Sequence, residues 1–162
     1  MRFRNWTVVA FGAGAVLCGS VSAQSVMQPG GWQMKMKISA TDPATGASKV
    51  ANESTSRVCL TKEYLSKDPY LTPGVDKERM EQKHAKCAIS DAKRTANSAS
   101  WKMACTMVDG SSVDMTIRNT ASRQRLTSDI QQVIRKGGNS GVIQIVMDSS
   151  FLGQCTSDML AL

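Results

Sequence analysis

The chain has 162 residues, with 20 Lys and Arg against 13 Asp and Glu, a formal charge of +7 and a single histidine. Such a length suits one domain with one modest core. The basic residues are scattered and no basic-aromatic motif accompanies them, which excludes a nucleic-acid reader; the excess charge reads first as solubility, and secondarily as attraction to anionic envelope surfaces.

The chain opens with the features of an export signal. Arg2 and Arg4 form a positive start, Trp6 to Leu17 a short apolar run, and Val21-Ser22-Ala23 a small-residue cleavage site. Residues 1–23 are expected to be removed, leaving a single domain over 24–162. The apolar run is too short for a membrane anchor, and no later run is long enough to span a bilayer. Leu17 before Cys18 argues against a lipidated cysteine. Losing Arg2 and Arg4 leaves 18 basic residues against 13 acidic ones, a side-chain charge of +5. The expected location is the periplasm of a Gram-negative bacterium, or the medium.

From there the dominant signal is period-two alternation, which predicts strands. In GWQMKMKIS, Trp32, Met34, Met36 and Ile38 share one face, and Gln33, Lys35 and Lys37 the other. DPATG at 42–46 is a turn signal, and a polar strand over about Lys49 to Cys59 is expected to pair back. Residues 60–85 lose the alternation. Thr61 is placed to cap a short helix over Lys62 to Ser66, and Asp76 another over Lys77 to Ala85.

Strand character returns at Cys87 to Asp91 and Ala99 to Met107, around a loop at Ala92–Ser98. Val108-Asp109-Gly110 suits a three-residue hairpin loop with glycine in its left-handed last position. That loop sets Cys105 opposite Val113, Met103 opposite Met115 and Trp101 opposite Ile117, all on one apolar face, whereas a two-residue loop would split that face. The segment SRQRLTSDIQQVIRKGG is ambiguous. Leu126, Ile130, Val133 and Ile134 have helical spacing, yet the same residues fit a long polar strand. GVIQIVMDSS is a clear strand with Ile143, Ile145 and Met147 on one face. Phe151, Gly153 and Cys155 close the domain.

Without Cys18, four cysteines remain: Cys59, Cys87, Cys105 and Cys155. An even number in an exported chain reads as two disulfides, for which three pairings exist. No two stand at C-x-x-C spacing, which argues against a thioredoxin-type motif or a zinc knuckle.

Taken in order, PGGW at 29–32, VCLT at 58–61, Cys87, WKMAC at 101–105 and FLGQC at 151–155 resemble the framework of an exported bacterial family, domain-of-unknown-function family 3617. The resemblance spans nearly all of residues 24–162. PGGW departs from it, since a bulky residue more often precedes that tryptophan, and residues 123–136 are more polar than expected. The resemblance implies no catalytic residues. It implies a mostly antiparallel β domain, which turns the ambiguous 123–135 segment towards strand. The expected fold is mainly β: a single antiparallel, strongly curved sheet or partly closed barrel with one or two short helices. A hairpin centred near Ala96 then sets Cys87 opposite Cys105, Ile89 opposite Met103 and Asp91 opposite Trp101. Cys87 and Cys105 are predicted to pair, which leaves Cys59 with Cys155.

The chain carries no recognisable catalytic constellation. His84 lies in the charged run KHAK and reads as a surface residue. GGNSG at 137–141 lacks the spacing of a nucleophile elbow and reads as a hairpin turn. Neither a Walker nor a dinucleotide glycine pattern occurs. A hydrolase is therefore the weakest reading, and no cofactor or metal is expected. Ten methionines are more informative, nine of them after residue 23. Met34, Met36, Met103, Met107, Met115 and Met147 fall on inward faces beside Trp32 and Trp101. They read first as core filler. Trp32, Met34, Met36, Trp101, Met103 and Met115 read next as the lining of a face for an apolar ligand or envelope partner, and the methionines alternatively as Cu(I) ligands. The sequence thus points to a non-catalytic binding or envelope-accessory protein.

Overall fold

The computed structural model of the protein describes residues 26–42, 44–67, 81–82 and 84–162. The signal segment expected over 1–23 lies outside these residues, as does most of the second helix expected after Asp76.

The described residues form one eight-stranded sheet and one short helix, and 81–82 are also helical. The strands are β1 (Gly30–Thr41), β2 (Ser48–Leu60), β3 (Lys86–Arg94), β4 (Ser98–Thr106), β5 (Ser112–Ala121), β6 (Arg125–Lys136), β7 (Asn139–Gly153) and β8 (Leu160–Ala161), with α1 at Lys62–Lys67. Their order in the sheet is β3-β4-β5-β6-β7-β1-β2-β8. Every ladder is antiparallel except that of β2 with β8. With β3 and β8 at opposite ends, the sheet stays open and is not closed into a barrel.

Three of the hairpins follow directly from their turn chemistry. Asp42 Oδ1 accepts a hydrogen bond from the Ala44 amide at 2.8 Å, an Asx turn that reverses β1 into β2. At Val108–Gly110 the Met107 amide donates to the Ser111 carbonyl at 2.8 Å, and Gly110 adopts φ +77°. This is the three-residue loop read from the sequence, and the register it selects is the one observed: Trp101 opposite Ile117, Met103 opposite Met115, Cys105 opposite Val113. Gly137 and Gly138, at φ +56° and +82°, turn β6 into β7 with Lys136 opposite Asn139. Two consecutive left-handed residues match the twist of the flanking strands.

The ambiguous segment is strand β6. Leu126, Ser128 and Ile130 are all at most 3% exposed, and the residues between them are exposed. Helical spacing was present, but pairing on both sides with β5 and β7 satisfies the whole backbone and decides the outcome. The helix expected from Thr61 forms as α1. The Thr61 hydroxyl accepts from the Tyr64 amide at 3.0 Å and caps it.

One element departs from the expected register. Cys87 lies opposite Cys105 and Ile89 opposite Met103, but the ladder shifts between Ser90 and Lys93. Asp91 is not paired with Trp101. Asp91 and Ala92 together occupy the space of one partner residue, a β-bulge, with Asp91 in the left-handed region at φ +54°. The strands continue to Arg94 and Ser98, so the connecting loop is shorter than Ala92–Ser98.

One face of the sheet carries the core, in two clusters. The first gathers Met27, Trp32, Val58, Leu60, Leu65, Ala99, Ala121, Leu126 and Met147; the second gathers Ala85, Trp101, Met103, Cys105, Met115, Ile117 and Ile130. The other face is wet and laced with exposed ion pairs such as Lys37–Glu53, Lys102–Asp91 and Arg125–Asp148. Such pairs order a surface more than they stabilise it.

Candidate functional site

Two disulfides hold the sheet. Cys87–Cys105 staples the β3–β4 hairpin, and Cys59–Cys155 ties the end of β2 to the segment after β7 across 96 residues. Both pairings are those expected. Among the described residues, no group of three or more His, Cys, Asp or Glu side chains is placed to hold a metal ion. His84 is exposed, with φ +61°.

The six tryptophans and methionines singled out as a ligand face do not form one site. Trp32 belongs to the first cluster, with Met34 packed against it, and Trp101, Met103 and Met115 belong to the second. Trp32 is fully buried. Its indole N–H donates to the Gln28 carbonyl at 3.2 Å, and its ring meets Phe151 edge-on at 5.7 Å. Trp101, Met103 and Met115 are at most 4% exposed. Those four side chains are packing residues of the fold.

Met34 and Met36 differ. Both are only half-buried, although they stand on the core face. Met36 lies directly opposite Met147 of β7, and Ile38 opposite Ile145. Ile143 and Ile145 are half-buried as well, whereas Ile130 and Ile117, further along the row from Ile145, are at most 3% exposed. The apolar character of this face therefore runs on across β7 and β1 to the margin of the two clusters, on which Met34 and Ile145 pack. This strip of Met34, Met36, Ile38, Ile143 and Ile145 is the candidate functional site.

A polar feature next to the strip was missed in the sequence. Asn119, Ser128 and Ser149 are at most 2% exposed on the core face. Asn119 and Ser128 are directly opposed, and Ser149 lies opposite both Leu126 and Met34. Among the described residues, the hydroxyls of Ser128 and Ser149 meet no hydrogen-bonding group. A signal existed: read as a strand, 126–130 puts Ser128 between two inward apolar residues. The helical spacing of the same segment hid it.

The glycines of PGGW explain that motif's departure from the expected pattern. A Cβ on Gly31 would stand 2.6 Å from the Met159 methyl and 2.9 Å from the Gln154 carbonyl. Met159 thus fills the space that a larger side chain before Trp32 would need.

Fold and site together define a disulfide-stapled, open antiparallel sheet with one packed and one wet face. The model of the family described as "Protein of unknown function (DUF3617)" matches residues 27–155, and the chain belongs to that family. No curated protein and no solved structure matches it. Among the described residues, no helix is long and apolar enough to cross a membrane.

Proposed function

We propose that the protein is an exported, non-catalytic binding protein of the bacterial envelope, and that the strip of Met34, Met36, Ile38, Ile143 and Ile145 receives an apolar ligand. One observation carries this reading: the strip is half-buried on the same face where neighbouring isoleucines are fully packed. Unbranched, polarisable methionine adapts to irregular apolar surfaces, which suits it to such a role. Two disulfides and the signal-like residues 1–23 support export. Native mass spectrometry of the protein taken from its own envelope tests the reading. The expected spectrum has a chain beginning at Gln24, two disulfides and a bound apolar molecule that Met36→Glu loses. A bare chain in every preparation, together with equal binding of an apolar dye by parent and Met36→Glu, overturns it.

A second reading is favoured by a specific arrangement. Met36 faces Met147 across the ladder, and Met34 packs on the cluster that contains Met147. Thioethers gathered on adjacent strands are soft ligands suited to Cu(I). This reading expects Cu(I) uptake that disappears in Met34→Leu/Met36→Leu; unchanged uptake in that variant rules it out.

A further inference from the structure

The bulge in β3 has a consequence on the wet face. Had the register of Cys87–Cys105 continued, Lys93 would lie opposite Ala99 and point towards the core. The extra residue at Asp91–Ala92 reverses the alternation, and Lys93 instead lies opposite Ser100, with Arg94 opposite Ala99. Bulges commonly re-aim side chains in this way. Ser100 in turn lies opposite Arg118. Lys93, Ser100 and Arg118 thus form one row across three strands, on the face away from Trp101 and Ile117. Lys102 and Thr116 are directly opposed one position along.

These side chains line a shallow groove of about 400 Å³ together with Asp91. Three cations face one carboxylate there. Asp91 pairs with Lys102 at 2.7 Å, and its carboxyl is held below the ordinary value by that contact first and by Lys93 more weakly. Neither Lys93 nor Arg118 has an ion-pair partner among the described residues. Asp129 lies opposite Arg118 in the ladder, but its carboxylate accepts from the Gln144 amide instead. Elsewhere on the wet face Arg125, Arg135 and Lys136 are each paired with an aspartate. Lys35 and Lys86 lack an ion pair among the described residues too, but they lie opposite Asp148 and Thr106, whereas Lys93 and Arg118 flank one serine from both sides.

We propose that this groove is an oxyanion site that takes the phosphate group of a phosphoester ligand. Adjacent strands are about 5 Å apart, so Lys93 and Arg118 flank Ser100 at a span of about 10 Å that their side chains close from either side. The guanidinium fork and the ammonium supply charge, and the Ser100 and Thr116 hydroxyls add neutral donors. Nothing in this site depends on the apolar strip, which lies on the opposite face.

The test uses the whole disulfide-bonded chain. Inorganic phosphate is titrated while backbone amide resonances are followed, with chloride at matched ionic strength as control. Saturable shifts at Ser100, Lys102 and Thr116 are expected, weakened roughly tenfold in Lys93→Gln/Arg118→Gln. Lys49→Gln/Lys62→Gln, with the same net charge, is expected to leave the affinity unchanged. Vesicles of phosphatidylglycerol in phosphatidylcholine identify the source. Competition with phosphate at the same amides points to a lipid headgroup, and its absence to a soluble phosphoester. Shifts reproduced by chloride, no saturation, or equal affinity in the Lys93→Gln/Arg118→Gln variant overturns the proposal.

Discussion

Asp109 and Lys136, 27 residues apart, join the tips of two neighbouring hairpins: the Lys136 ammonium donates to Asp109 Oδ2 at 2.8 Å. Asp109 also accepts from the Ser111 hydroxyl at 2.6 Å and the Ser111 amide at 3.0 Å. Lys136 is the largest of these influences, and together they hold the Asp109 carboxyl well below the usual carboxylate range. A depressed folded-state pKa stabilises the fold above the unfolded value of about 3.9. That contribution is lost as pH falls from there through the folded pKa. Carboxyl-carbon resonances followed from pH 7 to 2 are expected to show Asp109 still ionised well below the ordinary aspartate value. In Lys136→Gln its midpoint should rise towards the ordinary value.

The two disulfides are expected to contribute unequally. Loop-closure entropy grows with the length of chain enclosed, and Cys59–Cys155 encloses 96 residues of separation against 18 for Cys87–Cys105. The same argument assigns about 4.7 kcal/mol to the first and about 3 kcal/mol to the second. Urea unfolding of Cys59→Ala/Cys155→Ala and Cys87→Ala/Cys105→Ala should rank them in that order.

Gly30 has φ +142°, and a Cβ there would stand 2.4 Å from the Gly153 carbonyl oxygen. Backbone is in the way, so no rotamer change relieves the clash. Gly30→Ala is expected to cost about 2 kcal/mol or more, measured by thermal or urea unfolding. Gly46→Ala, in an open turn at φ +69°, should cost less, because only the backbone conformation is strained there.

Ser128 and Ser149 are buried with hydroxyls that meet no partner among the described residues. Burying such a group is unfavourable, so replacing it with a methyl removes a penalty rather than a bond. Ser128→Ala and Ser149→Ala are expected to leave the unfolding midpoint unchanged or to raise it. A loss above about 1 kcal/mol for either would mean that its hydroxyl is bonded in solution.

Much of this protein was legible in its residues. Alternation places Trp32, Trp101, Met103 and Met115 inward, because a strand with one wet side must segregate its side chains every second position. Val108-Asp109-Gly110 selects a register, and that register puts Ser100 beside Arg118. Four cysteines in a β framework with opposed Cys87 and Cys105 leave one partner for Cys59.

The tertiary structure decided what local pattern could not. Residues 125–136 carry helical spacing, and only ladders on both flanks make them a strand. β1 pairs with β7, and Leu160–Ala161 adds a short parallel strand beside β2; neither pairing has a turn of its own to announce it, because the partners are distant in the chain. The bulge at Asp91–Ala92 is likewise invisible to alternation, since a single extra residue costs the sequence nothing until a partner strand measures it. That residue turns Lys93 from the core to the wet face. Local periodicity determines which side chains a strand separates, and only the neighbouring strand determines which of them meet.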